Sequence, residues 1–336
     1  MPERKGQHTV LFSSRPTILG AAAVVGKKEG EGPLGPQFDR VFEDTTLGAK
    51  TWEQAESALQ REAATLAIQK AGFVPSQIHF LFAGDLLNQC IASTFGLREL
   101  GIPLFGQFGA CSTMAQTMAM AAVFVDSGAA DVCCAVTSSH FCAAERQFRF
   151  PLEYGSQRTP TSQWTATAAG AAVVGIGGKG VRLRAACGGR VVDMGVTDVN
   201  NMGAAMAPAA ADTLARFLTD TRTVPAEYDL ILTGDLSAAG AELFCELTQQ
   251  RGLRVQDRYN DCGLMLYDRR TQDVHAGGSG CGCSAAVVCS HILREIGAGR
   301  LHRVLFIGTG ALMSPTSCQQ GESIPGIAHL VLLSDD

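Results

Sequence analysis

Short apolar runs alternate along this chain with longer stretches of helical periodicity, a pattern of buried strands joined by helices. Residues 16–26 form the first apolar run. Arg4, Lys5 and Arg15 before it imitate a signal peptide, but Gly20 interrupts the run and Lys27-Lys28-Glu29 follows at once, so it reads as a buried strand. Residues 27–36 carry Gly, Pro and charge and predict a loop. Residues 52–71 predict an amphipathic helix with Ala55, Leu59, Leu66 and Ala67 on one face, stopped by Gly72. Residues 106–120 predict a glycine turn entering a helix with no charged face, hence a buried one. Residues 146–163, charged and aromatic, predict a loop over the fold, and residues 173–192 a hairpin or a connection. Helices are expected at 204–218 and 284–296, and strands at 304–307 and 328–333.

One phrase occurs twice. Phe80-Leu-Phe-Ala-Gly-Asp-Leu86 and Leu230-Ile-Leu-Thr-Gly-Asp-Leu236 place Gly84 and Gly234 150 residues apart. Each is an apolar run too short for a buried helix, stopped by Gly-Asp, and so a core strand opening into a loop. A second echo follows. Cys111-Ser112 opens a segment reaching Gly128 and the strand-like residues 131–136, and Cys283-Ser284 opens one reaching Gly299 and residues 303–307. This spacing is no solenoid period. It predicts a duplicated α/β unit about a pseudo-twofold axis, divided as residues 1–200 and 201–336, with the two Gly-Asp-Leu phrases ending adjacent central strands and any site between the halves.

Composition changes this picture little. Of 336 residues, 46% are hydrophobic and 18% charged, which indicates a compact chain with a large core. A net charge of −5 gives no footprint for nucleic acid, and no Lys/Arg run suggests a strongly basic membrane patch. No stretch approaches the ~20 apolar residues of a membrane span. The 12 cysteines include no Cys-x-x-Cys pair and none at zinc-ligand spacing to a His, so they read as small reduced hydrophobes of an intracellular protein, with no metal and no cofactor expected.

The candidate chemistry lies at Gly106-Gln-Phe-Gly-Ala110-Cys111-Ser112. A thiol at a strand-to-helix turn, above a helix N-terminus, is where a nucleophile would sit, and the N-terminus is expected to lower its pKa and to hold nearby negative charge.

Gly109-Ala-Cys111-Ser112, the duplication and the closing Phe306-Ile-Gly-Thr-Gly-Ala311 resemble the thiolase superfamily, in its β-ketoacyl-ACP synthase III branch. Longer phrases are similar to the stage V sporulation protein AD family of endospore formers. They are Ala83-Gly-Asp-Leu-Leu-Asn-Gln89, Ala144-Glu-Arg-Gln-Phe-Arg149, residues 201–212, Asn260-Asp-Cys-Gly-Leu-Met265, Ala276-Gly-Gly-Ser-Gly-Cys-Gly-Cys-Ser284 and Ser323-Ile-Pro-Gly-Ile-Ala-His329. The resemblance implies a five-layered α-β-α-β-α fold of two similar halves, a homodimer, and a dipicolinic-acid-binding component of the machinery that moves dipicolinate and calcium into the spore. It places the protein in the sporulating cell's cytoplasm, docked on membrane-embedded subunits at the spore inner membrane.

Condensing enzymes of the superfamily carry a His after the second repeat strand and an Asn or His on a later glycine-rich loop. Here Thr233-Gly-Asp235 and Gly277-Gly278-Ser279-Gly280 occupy those places, with no imidazole or amide. No catalytic residue is therefore assigned, although His140 or His275 stands near enough in sequence to substitute. The ligand-binding candidates are Ala110, Cys111, Ser112, His140, Asp235, Gly278 and Ser279, with Arg146, Arg149 and Arg158 above them as bidentate partners for carboxylates. Asp85 and Asp235 read as loop caps rather than calcium ligands. The alternatives are a Cys-dependent acyltransferase and a scaffold that bridges membrane subunits.

Overall fold

The computed structural model describes residues 1–148 and 158–336. Ten strands carry the fold. The first five are β1 (Thr17–Gly26), β2 (Phe80–Gly84), β3 (Leu104–Gly106), β4 (Val132–Ser139) and β5 (Ala168–Gly175). The second five are β6 (Arg182–Cys187), β7 (Leu230–Thr233), β8 (Tyr259–Asp261), β9 (Arg303–Ala311) and β10 (Gly326–Ser334). They line up as β8-β7-β9-β10-β6-β1-β5-β4-β2-β3. Read outward from the middle, each half therefore has its first, fifth, fourth, second and third strand in turn.

Register repeats with order. β2 runs parallel to β4 from Phe80↔Cys133 to Gly84↔Thr137, and β7 parallel to β9 from Leu230↔Val304 to Thr233↔Ile307. A single pair, Arg182↔Thr17, joins β6 to β1 at the pseudo-twofold axis. The duplication read from the sequence is thus present in the topology. The Gly-Asp-Leu strands are not adjacent, however. β2 and β7 lie next to opposite ends of the order, because the axis passes between the first strands of the halves and not between the second. The chain crosses from one half-sheet to the other between Gly175 and Arg182, ahead of the boundary expected at 200; residues 173–192 are this connection and not a hairpin.

Six helices complete the layers: α1 (Trp52–Lys70), α2 (Thr113–Asp126), α3 (Phe141–Phe148), α4 (Met202–Thr221), α5 (Ser237–Gln250) and α6 (Cys281–Val287). α1 covers the outer face of β1, β4 and β5, while α4 packs on β9 and β10 with α5 against it. The α4–α5 crossing is close because a Cβ on Gly203 would sit 2.8 Å from the amide nitrogen of Gly240. Between the half-sheets lie α2 and α6, with α2 touching strands of both halves. The order is helix, sheet, helix, sheet, helix. This middle position explains why α2 is apolar all round: Met114, Ala115 and Met118 are fully buried, and its one acid, Asp126, is its last residue.

Two expected loops carry structure. Residues 27–36 begin with a helical turn, Lys27–Gly30, that buries Glu29. The segment expected as an overlying loop from 146 is helical through Phe148, since α3 places Ala143 and Ala144 inward and Arg146 outward. Arg149 lies outside the described residues.

Candidate functional site

The chain enters α2 through a strained turn. Ala110 adopts φ 48°, left-handed for a residue with a side chain. The turn is closed by its own groups: the Ser112 hydroxyl donates to the Gly109 carbonyl at 2.6 Å, and the Thr113 hydroxyl to the Ala110 carbonyl at 2.6 Å. The Ser112 and Thr113 amides donate to the same two carbonyls at 3.0 and 3.3 Å. The Ser112 and Thr113 amides at the entrance of the helix are therefore taken up by the turn itself and do not contribute to the anion cradle expected from the sequence. β9 of the other half presses on this turn. A Cβ on Gly310 would lie 2.3 Å from the Gly109 carbonyl oxygen, so only glycine fits there.

Opposite the turn, β7 delivers Asp235. Its Oδ1 accepts from the Thr309 hydroxyl at 2.7 Å, and its Oδ2 from the Gly280 amide at 2.8 Å and the Ser279 hydroxyl at 3.2 Å. Ser279 Oγ lies 4.0 Å from Cys111 Sγ. The Asp235 backbone is held too: its amide donates to Thr309 Oγ1 at 3.0 Å, and Gln163 Nε2 donates to its carbonyl. Below it, Asp261 at the end of β8 accepts from the Thr233 hydroxyl at 2.6 Å and the Leu236 and Ser237 amides at 2.8 and 2.9 Å.

The electrostatics run against the nucleophile expected from the sequence. Burial pushes the Cys111 thiol well up, and the charge of Asp235 and its hydrogen bond to the thiol push it further. The helix N-terminus does not win, because desolvation of a fully buried thiolate beside a carboxylate outweighs a half-charge whose leading amides, Ser112 and Thr113, are already bonded. Burial also raises Asp235, against its hydrogen bonds, and raises Asp261 to about 6.

Above the thiol is a narrow slot fed by both halves. Leu86, Phe108, Ala110, Cys111, Ala144, Glu145, Phe148 and Thr165 come from the first, and Met202, Ser279, Ala311 and Met313 from the second. Its volume is about 40 Å³ among the described residues. Benzene needs a cavity of roughly 150 Å³, so an aromatic ligand requires the walls to part.

Of the residues expected here, Ala110, Cys111 and Ser279 line the slot, with Asp235 beneath Ser279. Ser112 is turned into its own turn, and the Gly278 carbonyl accepts from the Ser237 hydroxyl at 2.7 Å. His140 is buried, with Nε2 2.9 Å from the Thr45 carbonyl, and burial lowers its pKa. His275 pairs with Asp273 at 3.2 Å. Neither imidazole reaches the slot. Arg146 faces Glu53 and Trp52 over a neighbouring groove. Arg158 is 3.6 Å from the slot-lining Glu145, with its guanidinium 4.4 Å over Trp164, which stacks on Phe141. Sequence reasoning missed Glu145, Thr309 and Gln163. The first two lie inside the family-like phrases 144–149 and 306–311, but nothing in their spacing reveals that they meet.

The profile of the family described as Stage V sporulation protein AD (SpoVAD) matches residues 6–334. Stage V sporulation protein AD of Bacillus subtilis (strain 168) is 44% identical over 327 residues, covering 97% of this chain and 96% of that protein. Among solved structures, 3-oxoacyl-[acyl-carrier-protein] synthase III from Aquifex aeolicus VF5 is similar with a TM-score of 0.56 at 13% identity, covering 95% of this chain and 99% of that one. A variant of OleA from Xanthomonas campestris is similar with a TM-score of 0.60 at 17% identity, covering 96% and 99%. The fold is thiolase-like, and the chain belongs to the stage V sporulation protein AD family.

Proposed function

We propose that this sporulation protein binds dipicolinic acid, free or as its calcium chelate, without catalysis, as a component of the spore's dipicolinate uptake machinery. The observation that carries the reading is the pairing of Cys111 with Asp235. A condensing thiol needs a base that makes it a thiolate and donors that hold an oxyanion. At this place the chain puts a buried carboxylate that keeps the thiol neutral, while the surrounding donors, Ser279, Gly280 and Thr309, are already spent on that carboxylate. What is left is a lined slot without a nucleophile.

In this reading Ala110, Cys111 and Ser279 form the floor, and Phe108 and Phe148 the faces that take a flat ring. Arg158 meets a carboxylate by turning from Glu145, and Arg149 is a second candidate cation; Ser112, His140, Asp235 and Gly278 support the floor rather than touch ligand. Arg146 is engaged elsewhere. Membrane-embedded subunits of the same assembly hold the protein at the spore inner membrane. No helix among the described residues is long and apolar enough to cross a membrane, which fits attachment through partners. A homodimer belongs to the same reading: β3 is an open sheet edge, with Phe105 and Phe108 45% and 49% exposed at or beside it.

Calorimetric titration with dipicolinate, with and without calcium and with benzoate as the monocarboxylate control, tests the proposal. Wild type is expected to bind dipicolinate, and Cys111→Trp, which fills the slot, to lose binding. Equal binding by both moves the site elsewhere. An acyl adduct on Cys111 with turnover after incubation with acetyl-CoA replaces this reading with an acyltransferase. No binding and no adduct leaves a scaffold.

A further inference from the structure

At the other end of the same strands, the second half carries a groove of about 590 Å³, a volume typical of small-molecule sites. Tyr228 and Arg303, which line it, precede or begin β7 and β9, whereas Asp235 and Ala311 at the slot follow or end them. The length of β9 separates groove from slot by roughly 25 Å.

The groove reverses the sign of the protein's charge. In a chain of net charge −5, Lys5, Arg15, Arg184 and Arg303 line it against two carboxylates, Glu3 and Asp336. Asp336 is taken by Arg184, 3.0 Å from Oδ1. Lys5, Arg15 and Arg303 have no ion pair among the described residues. Arg303 is oriented by the Tyr228 ring, 4.8 Å from its guanidinium carbon, which leaves the guanidinium edge open to a ligand. Hydroxyls stand beside it: Tyr228 Oη is 2.8 Å from Thr223 Oγ1, itself 2.7 Å from Thr221 Oγ1. With Asp336 held by Arg184, only Glu3 among the lining residues is left to offset Lys5, Arg15 and Arg303, an excess of positive charge that an anion completes.

We propose that this groove is a second anion site, distinct from the slot, and that its ligand presents clustered phosphate oxygens, on a soluble molecule or a lipid headgroup. Forked guanidinium donors flanked by hydroxyls match phosphate geometry. The test titrates the intact protein with inorganic pyrophosphate by calorimetry. In parallel it is sedimented with phosphatidylcholine vesicles, with and without phosphatidylglycerol. Saturable binding is expected in at least one arm. It should weaken with added salt and fall at least about tenfold in Arg15→Ala and in Arg303→Ala. Lys5→Ala, at an exposed position, gives the same direction should Arg303→Ala fail to fold. Pyrophosphate binding assigns a soluble ligand, and retention only on phosphatidylglycerol vesicles assigns a headgroup. Dipicolinate titration of the same variants should match wild type whether or not the slot binds it, which separates this site from the proposed function. Absence of binding in both arms, or binding indifferent to Arg15→Ala and Lys5→Ala, overturns the proposal.

Discussion

Asp85 and Asp235 end equivalent strands in the same Gly-Asp-Leu phrase, yet they do different work. Asp85 is satisfied within its own half: Oδ1 accepts from the Leu87 amide at 2.9 Å, and Oδ2 from the Ser93 amide and hydroxyl at 2.8 and 2.6 Å. It closes the loop into the short helix Ile91–Leu97. Asp235 takes its donors from Ser279, Gly280 and Thr309, far along the chain, and faces Cys111 of the other half. Both carboxylates are fully buried and both are pushed up by desolvation. Burial raises their neighbours too, and each carboxylate adds to it: Asp85 acts on Glu56 and the Cys90 thiol of its own half, Asp235 on Asp261 and on the Cys111 thiol of the other half. A duplicated phrase thus delivers a carboxylate to a strand end, and the segment folded against it decides whether that carboxylate caps a local loop or gathers distant segments of its half beside a thiol of the other.

The largest effect should come from Asp235→Ala. It strands the Gly280 amide and the Ser279 and Thr309 hydroxyls in a dry interior, at about 1–3 kcal/mol for each donor left unmet, and about 3–5 kcal/mol altogether. Urea unfolding reads the loss. Asp85→Ala should cost a similar amount while leaving Cys111 chemistry untouched. A loss below about 1 kcal/mol for Asp235→Ala would break the contrast, since the carboxylate would then not hold the Ser279–Gly280 loop to Thr309 of β9.

Next is pH. Burial raises Asp261 to about 6 in the folded protein, against about 3.9 for an ordinary aspartate. Between these values the folded state binds the proton that the unfolded state has released, so this group's contribution to stability falls as pH rises through the window. The full difference is about 3 kcal/mol. Unfolding of wild type and Asp261→Asn should converge or diverge accordingly: the stability of wild type relative to the variant drops from pH 4 to pH 6. A constant difference across that window rules out the titration.

Cys111 reactivity gives a smaller, sharper reading. In wild type, iodoacetamide should modify Cys111 slowly at neutral pH, because burial and Asp235 hold the thiol protonated. Asp235→Asn removes the charge and should speed alkylation severalfold, followed by peptide mass spectrometry, whereas Asp85→Asn should leave the rate unchanged. Equal rates in all three proteins would mean that access alone controls the thiol. The smallest effect is expected from Arg146→Ala. The pair with Glu53 is partly exposed, so stability should change by about 1 kcal/mol or less, and any dipicolinate titration should be unaffected.

Much of the architecture was legible in the sequence because it rests on local rules. Apolar runs cut off by Gly-Asp marked β2 and β7, the missing charged face marked α2 as a middle layer, and the echo at 150 residues marked the duplication. The turn at Cys111 was legible for the same reason. Its chemistry was not. The sequence rule that a helix N-terminus acidifies a thiol holds for a lone helix, and it lost here to a carboxylate brought from another half. Arg146 was misjudged likewise: its sequence neighbourhood put it over the site, while the helical phase of α3 turned it toward Glu53.

What the chain determined by itself is the set of strands and helices, their doubling, and the identity of Thr233-Gly-Asp235 at a strand end and of Gly277-Gly-Ser-Gly280 on the later glycine-rich loop. Those follow from periodicity, glycine positions and residue identity, which are properties of neighbours in sequence. Only the tertiary structure decided that Asp235, Ser279, Thr309 and Cys111 share one buried point, that Glu145 rather than an arginine walls the slot, and that four cations collect at the far end of the same strands. The physical reason is that desolvation and charge pairing depend on which groups are brought within a few ångströms in the absence of water, and these residues come from segments far apart along the chain.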